Sequence, residues 1–179
     1  MKHPFYPLAA ALLLCPVAPA WAHSKPHVHG EVKVDIAVQA GTLTVQIEAP
    51  LDSLVGFEHR PRTPAQRKAA TEALALMNDV ARLIQPAAAA GCVAAAPQLD
   101  ATPLQPLDPG QAAAKEAAHA DLEATYTFTC AKPDALATLQ LGLFDSFKRI
   151  QRIEVQVAGP QGQRKQTLSR PAREVRFTR

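Results

Sequence analysis

Residues 32–47 hold the pattern that most constrains the fold. Val32, Val34, Ile36 and Val38 alternate with Glu31, Lys33, Asp35 and Ala37. After Ala40-Gly41 the alternation resumes in Leu43, Val45, Ile47 and Ala49. A period of two sends successive side chains to opposite faces of an extended chain. Pairing Gln39 with Thr42 sets Val38 opposite Leu43, Ile36 opposite Val45 and Val34 opposite Ile47. A one-residue slip would turn an apolar row to water, so this register predicts a well-specified hairpin. Lys33 then faces Glu48 on the polar side, and the same register sets His29 opposite Asp52.

The rest of the chain extends this β pattern with one helix. Thr63, Pro64 and Gln66 have the spacing of an N-cap, an N1 proline and an N3 partner in a capping box. They predict a helix over residues 64–85, stopping before Pro86, with Ala70, Ala73, Leu74, Met77, Val80, Ala81 and Ile84 as its core stripe. Residues 122–130, 139–143 and 153–157 alternate as strands, 163–169 read as a polar edge strand, and Val175 and Phe177 as a last short one. Between helix and later strands, only Gly91-Cys92-Val93-Ala94-Ala95-Ala96 looks strand-like. A flexible Ala/Pro-rich loop is expected at about residues 94–118. The fold class that follows is mainly β: an antiparallel β-sandwich-like domain of about seven strands with one α-helix.

Residues 1–22 read as a signal peptide. Lys2 is followed by an apolar run from Leu8 to Val17 and by Ala20-Trp21-Ala22, a small-x-small cleavage site. The run is too short to span a bilayer, and cleavage after Ala22 would export residues 23–179 to the periplasm as a single domain. Removing Lys2 leaves 18 basic against 16 acidic residues with no basic block, which argues against nucleic acid as a partner. Cys92 and Cys130 remain, and an even cysteine count in an exported chain most simply forms one disulfide. Closing that loop is worth about 4 kcal/mol in the chain-entropy model.

The chemistry resides in histidines and acids at predicted strand mouths. His27 and His29 are two residues apart in extended chain, so both point to one side, roughly 6.5–7 Å apart. That spacing allows both imidazoles to reach one metal ion, whose Zn–N bonds are about 2.0–2.1 Å. Glu58-His59 and His119-x-Asp121 are the further donor pairs, and a zinc site needs three or four such groups gathered by the fold. If cleavage leaves His23 first, its α-amine and ring offer an alternative Cu2+ site of the histidine-brace type, with His27 or His29 as partner. A third reading has the same polar residues ordering a metal-free interaction surface. No G-x-S-x-G, H-E-x-x-H or serine with an evident base is found, so the chain is not expected to be an enzyme.

The segments "HVHGEVKVDIAV", "APLDSLVGFEH", "HADLEATYTFTC" and "LGLFDSFKRIQRIEVQV" with a following "GQ" turn, in this order, resemble the ZrgA-type family of exported bacterial zinc-binding proteins. The resemblance runs from about His27 to the end. It implies a periplasmic, non-enzymatic protein that assists zinc acquisition or buffering beside an ABC zinc importer or another periplasmic zinc-binding protein. Carried onto this sequence, its motif positions are His27, His29, Glu58, His59, His119 and Asp121, and Cys92 and Cys130 match its cysteines. One departure stands out. Members often carry a histidine- and acid-rich tract between the cysteines, whereas "PQLDATPLQPLDPGQAAAKEA" has no histidine, which speaks against a multi-zinc buffer.

Overall fold

A computed structural model describes residues 28–105 and 120–177. The predicted hairpin forms as β1 (Glu31–Gln39) and β2 (Thr42–Pro50). Val34 pairs with Ile47, Ile36 with Val45 and Val38 with Leu43, and Lys33 stands opposite Glu48 with Nζ 2.8 Å from Oε1. Ala40 and Gly41 both take positive φ, the conformation that a two-residue connection of this twist requires.

The chain then makes α1 (Leu51–Val55), α2 (Pro64–Asn78) and α3 (Val80–Leu83). The Thr63–Gln66 capping box is present. The single helix expected over 64–85 is, however, two helices and the start of a strand. Asp79 ends α2 and caps α3 by accepting from the Arg82 amide. Ile84 is already extended in β3 (Ile84–Pro86), because burial beside Leu141 outweighs the helical periodicity.

Next come β4 (Cys92–Ala94), β5 (Gln98–Asp100), β6 (Asp121–Cys130), β7 (Thr138–Leu141) and α4 (Leu143–Ser146). The chain continues through β8 (Arg152–Gly159), β9 (Gly162–Ser169) and β10 (Glu174–Arg176). Among the described residues there are ten strands and four α-helices, where about seven strands and one helix were expected. Of the Ala/Pro-rich loop expected at 94–118, residues 94–105 carry regular structure, and residues 106–118 lie outside the described residues. β4 and β5 both line β6, and Thr102–Leu104 makes a 3-10 turn. Together they close an edge of the sheet that would otherwise be open to other chains. Leu143, expected in a strand, opens α4, since the chain turns at Gly142.

Two sheets result. The large one has the order β4-β6-β2-β1-β8-β9, with β5 also on β6, and the small one is β10-β7-β3. The large sheet is mixed, not purely antiparallel: β1 runs parallel to β8, from Glu31 beside Arg152 to Ala37 beside Ala158. Alternation reveals which residues share a face but not strand direction, and this pairing joins segments more than a hundred residues apart.

One face of the large sheet is buried, through Val34, Val45, Tyr126 and Val155. It shares a core with Met77 of α2, Leu83 of α3, and Leu139, Leu141 and Val175 of the small sheet. Burial pushes the Tyr126 phenol far above its ordinary pKa, so it stays a donor and bonds the Met77 carbonyl at 2.8 Å. The Cys92–Cys130 disulfide forms between directly opposed residues of β4 and β6. The polar face carries cross-strand ion pairs. On it the Lys165 ammonium holds Glu154 below the usual carboxylate range, with Arg152 adding to the effect.

Candidate metal site

His29 stands at the entry to β1, and the residue after it is clamped on two sides. Gly30, at φ +80°, donates its amide to the buried Ser53 hydroxyl at 2.9 Å. Its carbonyl accepts from the amides of Gln151 and Arg152, at 2.8 and 3.0 Å. The mouth of β1 is thus pinned to α1 and to the start of β8. A side chain at 30 would be strained at this φ and would press on the Arg149 carbonyl, 3.3 Å away.

α1 supplies the next group. It ends at Gly56, again left-handed at φ +84°, whose amide closes back on the Asp52 carbonyl. The turn brings Glu58 to His29, with Nε2 of the ring 2.8 Å from Oε1. On the other side of the ring, Nδ1 lies 3.8 Å from Asp52 Oδ2. The imidazole is 61% exposed, while the side chains of Glu58 and Asp52 are only 21% and 23% exposed. Two half-shielded carboxylates therefore flank an open ring. The hairpin ladder does not create the His29–Asp52 contact as the sequence register suggested. Pairing ends at Lys33–Glu48, and Asp52 approaches from α1.

Arg149 completes the cluster from the loop before β8. Its Nε donates to the Asp52 backbone carbonyl at 3.0 Å, and Nη2 lies 3.4 Å from Asp52 Oδ1. The guanidinium lies against Gly56, where a Cβ would come within 3.0 Å of three of its atoms.

His59 behaves differently from its neighbour Glu58. Its ring stacks on Phe57 at 5.3 Å, and Nδ1 lies 2.8 Å from the Arg60 carbonyl. A carbonyl can only accept, so Nδ1 is the donor, and the lone pair of the neutral ring is on Nε2. This is the arrangement usual for a metal-ligating histidine. Asp121 opens β6 opposite Pro50, the residue before α1, and the Ala120 carbonyl accepts from the Leu51 amide at 2.9 Å. The histidine-glycine, Gly-Phe-Glu-His and Asp121 motifs therefore meet at one end of the large sheet. His23, His27 and His119 lie outside the described residues.

The donor chemistry suits a borderline divalent ion: an imidazole and carboxylates are ordinary zinc ligands. Among the described residues, no three or more His, Cys, Asp or Glu side chains are grouped to hold a metal. A family model described as ZrgA family zinc uptake protein matches residues 26–177. The chain belongs to this family. The ZrgA match spans every motif gathered at this end of the sheet and both cysteines. It makes zinc the ion against which the cluster is read. A comparison with curated proteins found no match. No helix among the described residues is long and apolar enough to cross a membrane.

Asp52, Ser53 and Arg149 were not predicted as site residues. Asp52 had a signal in the hairpin register, but for the wrong reason. Ser53 and Arg149 had none: a lone serine and a lone arginine 97 residues from Asp52 in sequence are not distinctive. A cavity of about 650 Å³ lined by Val38, Pro133, Leu136, Pro160 and Phe177 opens elsewhere, at the β1–β2 turn, and none of the motif residues line it.

Proposed function

We propose that this member of the ZrgA family is an exported, non-enzymatic zinc-binding protein that acts in the periplasm, after cleavage behind Ala22, as an accessory to zinc acquisition. Zinc is its cargo. His29 and Glu58 are the first ligands, with His59 and Asp121 at the same end of the sheet and His27 and His119 added as the remaining motif positions of the sequence. The observation that carries the reading is the 2.8 Å approach of His29 Nε2 to the Glu58 carboxylate, at an exposed ring held in place by Gly30. An open, polar site favours exchange over permanent storage. This suits a protein that passes the ion to an ABC importer or its binding protein. With no histidine between residues 97 and 117, the role is that of a framework site and not of a multi-zinc buffer.

Equilibrium dialysis of the mature chain against Zn2+ tests this reading. We expect bound zinc near one equivalent, lost in a His27→Ala/His29→Ala variant that keeps its fold. No bound zinc in the wild type, or full binding in the variant, would sink the proposal. Binding should also weaken as pH falls, because protons compete with the metal for imidazole and carboxylate donors.

A further inference from the structure

The two edges of the large sheet are finished differently. At one, β4 and β5 line β6 and close it. At the other, β9 is the last strand, and among the described residues no strand pairs with its outer side. Its ladder to β8 runs without a bulge from Arg152–Ser169 to Gly159–Gly162. Along these eight residues, alternate backbone N–H and C=O groups therefore point outward. Proteins usually blunt such an edge with a short strand, a proline or a bulge, and β9 has none of these.

What β9 has is charge. Residues 163–167 include two cations, Arg164 and Lys165, and no acid. Lys165 is on the polar face, with Nζ 2.8 Å from Glu154 Oε2. Glu154 also has Arg152 at 3.2 Å, so Lys165 can take a second carboxylate without stranding it. Arg164 pairs with the buried Val157 and so faces inward. Two copies joined along most of β9, polar face continuous with polar face, would set Lys165 opposite its own copy or diagonal to it. Like charges so placed are destabilising, whereas a carboxylate there is favourable. The inner side adds a recess. The cavity of about 650 Å³ at the β1–β2 turn reaches the start of β9, where Gly162 and Arg164 line it with Val38, Leu136, Val157 and Phe177. Nothing lies within 4 Å of the place of a Gly162 Cβ, so the space beside the strand's start is open.

We propose that β9 is a docking edge for an extended segment of a partner protein, with carboxylates on one face of that segment and apolar side chains on the other. The segment adds as the next strand of the large sheet. Its main chain bonds the outer side of β9, a carboxylate pairs with Lys165 on the polar face, and an apolar side chain enters the recess near Leu136 and Phe177. In strand addition, main-chain bonds supply affinity, and side-chain pockets supply selectivity. The recess lies at the opposite end of β1 from His29, so this site does not depend on the zinc reading.

Fluorescence-anisotropy titrations of the full mature chain with labelled, end-blocked peptides test this. The probe is acetyl-TVEVEVEVT-amide, which alternates acid and valine. It should bind saturably, and its lysine counterpart TVKVKVKVT should bind roughly tenfold more weakly. Lys165→Gln should remove most of that difference. Alanine in place of the valines should cost roughly tenfold. Two forms N-methylated on alternate residues, at the valines or at the glutamates, separate strand addition from surface attraction. One pattern should abolish binding and the other should keep it, because only one edge of the added strand bonds β9. These changes lie in the peptide, so the test stands even if Lys165→Gln fails to fold. No saturation up to about 1 mM peptide, equal affinity for the two charge forms, or equal effects of the two methylation patterns would overturn the proposal. Dimerisation of the chain in sedimentation that the acidic peptide does not compete away would give the edge to a second copy, and would overturn it as well.

Discussion

The large and small sheets are held together by different means. The large sheet rests on long ladders: β1, β2, β6 and β8 are eight to ten residues each, with apolar rows in register across all four. The small sheet has strands of three or four residues, too short to secure themselves. It depends on single contacts. Gly142 lets β7 turn directly against the end of α3, where its amide bonds the Leu83 carbonyl at 2.8 Å. Arg170 spans the loop around α4, donating to the carbonyls of Phe144, Phe147 and Ile150 at 2.7–2.9 Å and stacking over the Phe144 ring. Gln166 exchanges two hydrogen bonds with the Arg176 backbone and so ties β9 to β10. A periodic pattern thus tolerates local loss, whereas a structure built on point contacts fails at single residues.

The strongest test of that contrast is Gly142→Ala. A Cβ there would collide with the backbone carbonyl of Arg82. Ordinary overpacking costs about 1–3 kcal/mol when side chains can yield; here backbone must move, so a loss of more than about 4 kcal/mol is expected in urea unfolding. A loss under ~1 kcal/mol would show that the small sheet is not so tightly built. On the large sheet, replacing both Cys92 and Cys130 by Ala should cost about 4 kcal/mol. The spectroscopic signature of folded β-sheet should persist, because the ladders between β1, β2 and β8 do not involve the bridge.

Arg170→Ala should cost about 2 kcal/mol, by leaving three carbonyls without their charged donor. Because the same loop carries Arg149, this variant should also weaken zinc binding, whereas the cysteine variant should not. Tyr126→Phe probes the seam between β6 and α2, and losing the bond to Met77 should cost about 1 kcal/mol by thermal or chemical unfolding.

The smallest effect belongs to Glu154 on the polar face. Its carboxyl is held low by the hydrogen bond from Lys165, with Arg152 adding to it. Its contribution is therefore complete above the unfolded carboxylate range and is lost as pH falls through the lower, folded value. Glu154→Gln should flatten that acid limb of the stability curve by under ~1 kcal/mol, as for other surface pairs. A larger change would mean that the polar face contributes more to stability than its ladders suggest.

The same contrast explains what was legible in the sequence. The β1–β2 register, the Lys33–Glu48 pair, the Thr63 cap and the polar edge strand β9 were read correctly, because each depends on residues close in sequence or on strict alternation. The break of the helix at Asp79, the switch to β3 and the turn at Gly142 were not, because each is decided by a neighbour from another part of the chain. At the candidate site, His29 and Glu58 were recognisable as metal-binding residue types, and the structure joins them. Asp52 and Arg149 became visible only when α1 and the β8 entry closed around Gly30.

By itself, then, the sequence determined the hairpin, the class, the cysteine pair and the residue types able to hold zinc, since periodicity and side-chain chemistry are local properties. Tertiary structure alone decided the parallel β1–β8 pairing, the second sheet, and which carboxylate faces which nitrogen of His29. Strand direction and side-chain convergence depend on contacts between distant segments, and no single stretch of the chain encodes those contacts.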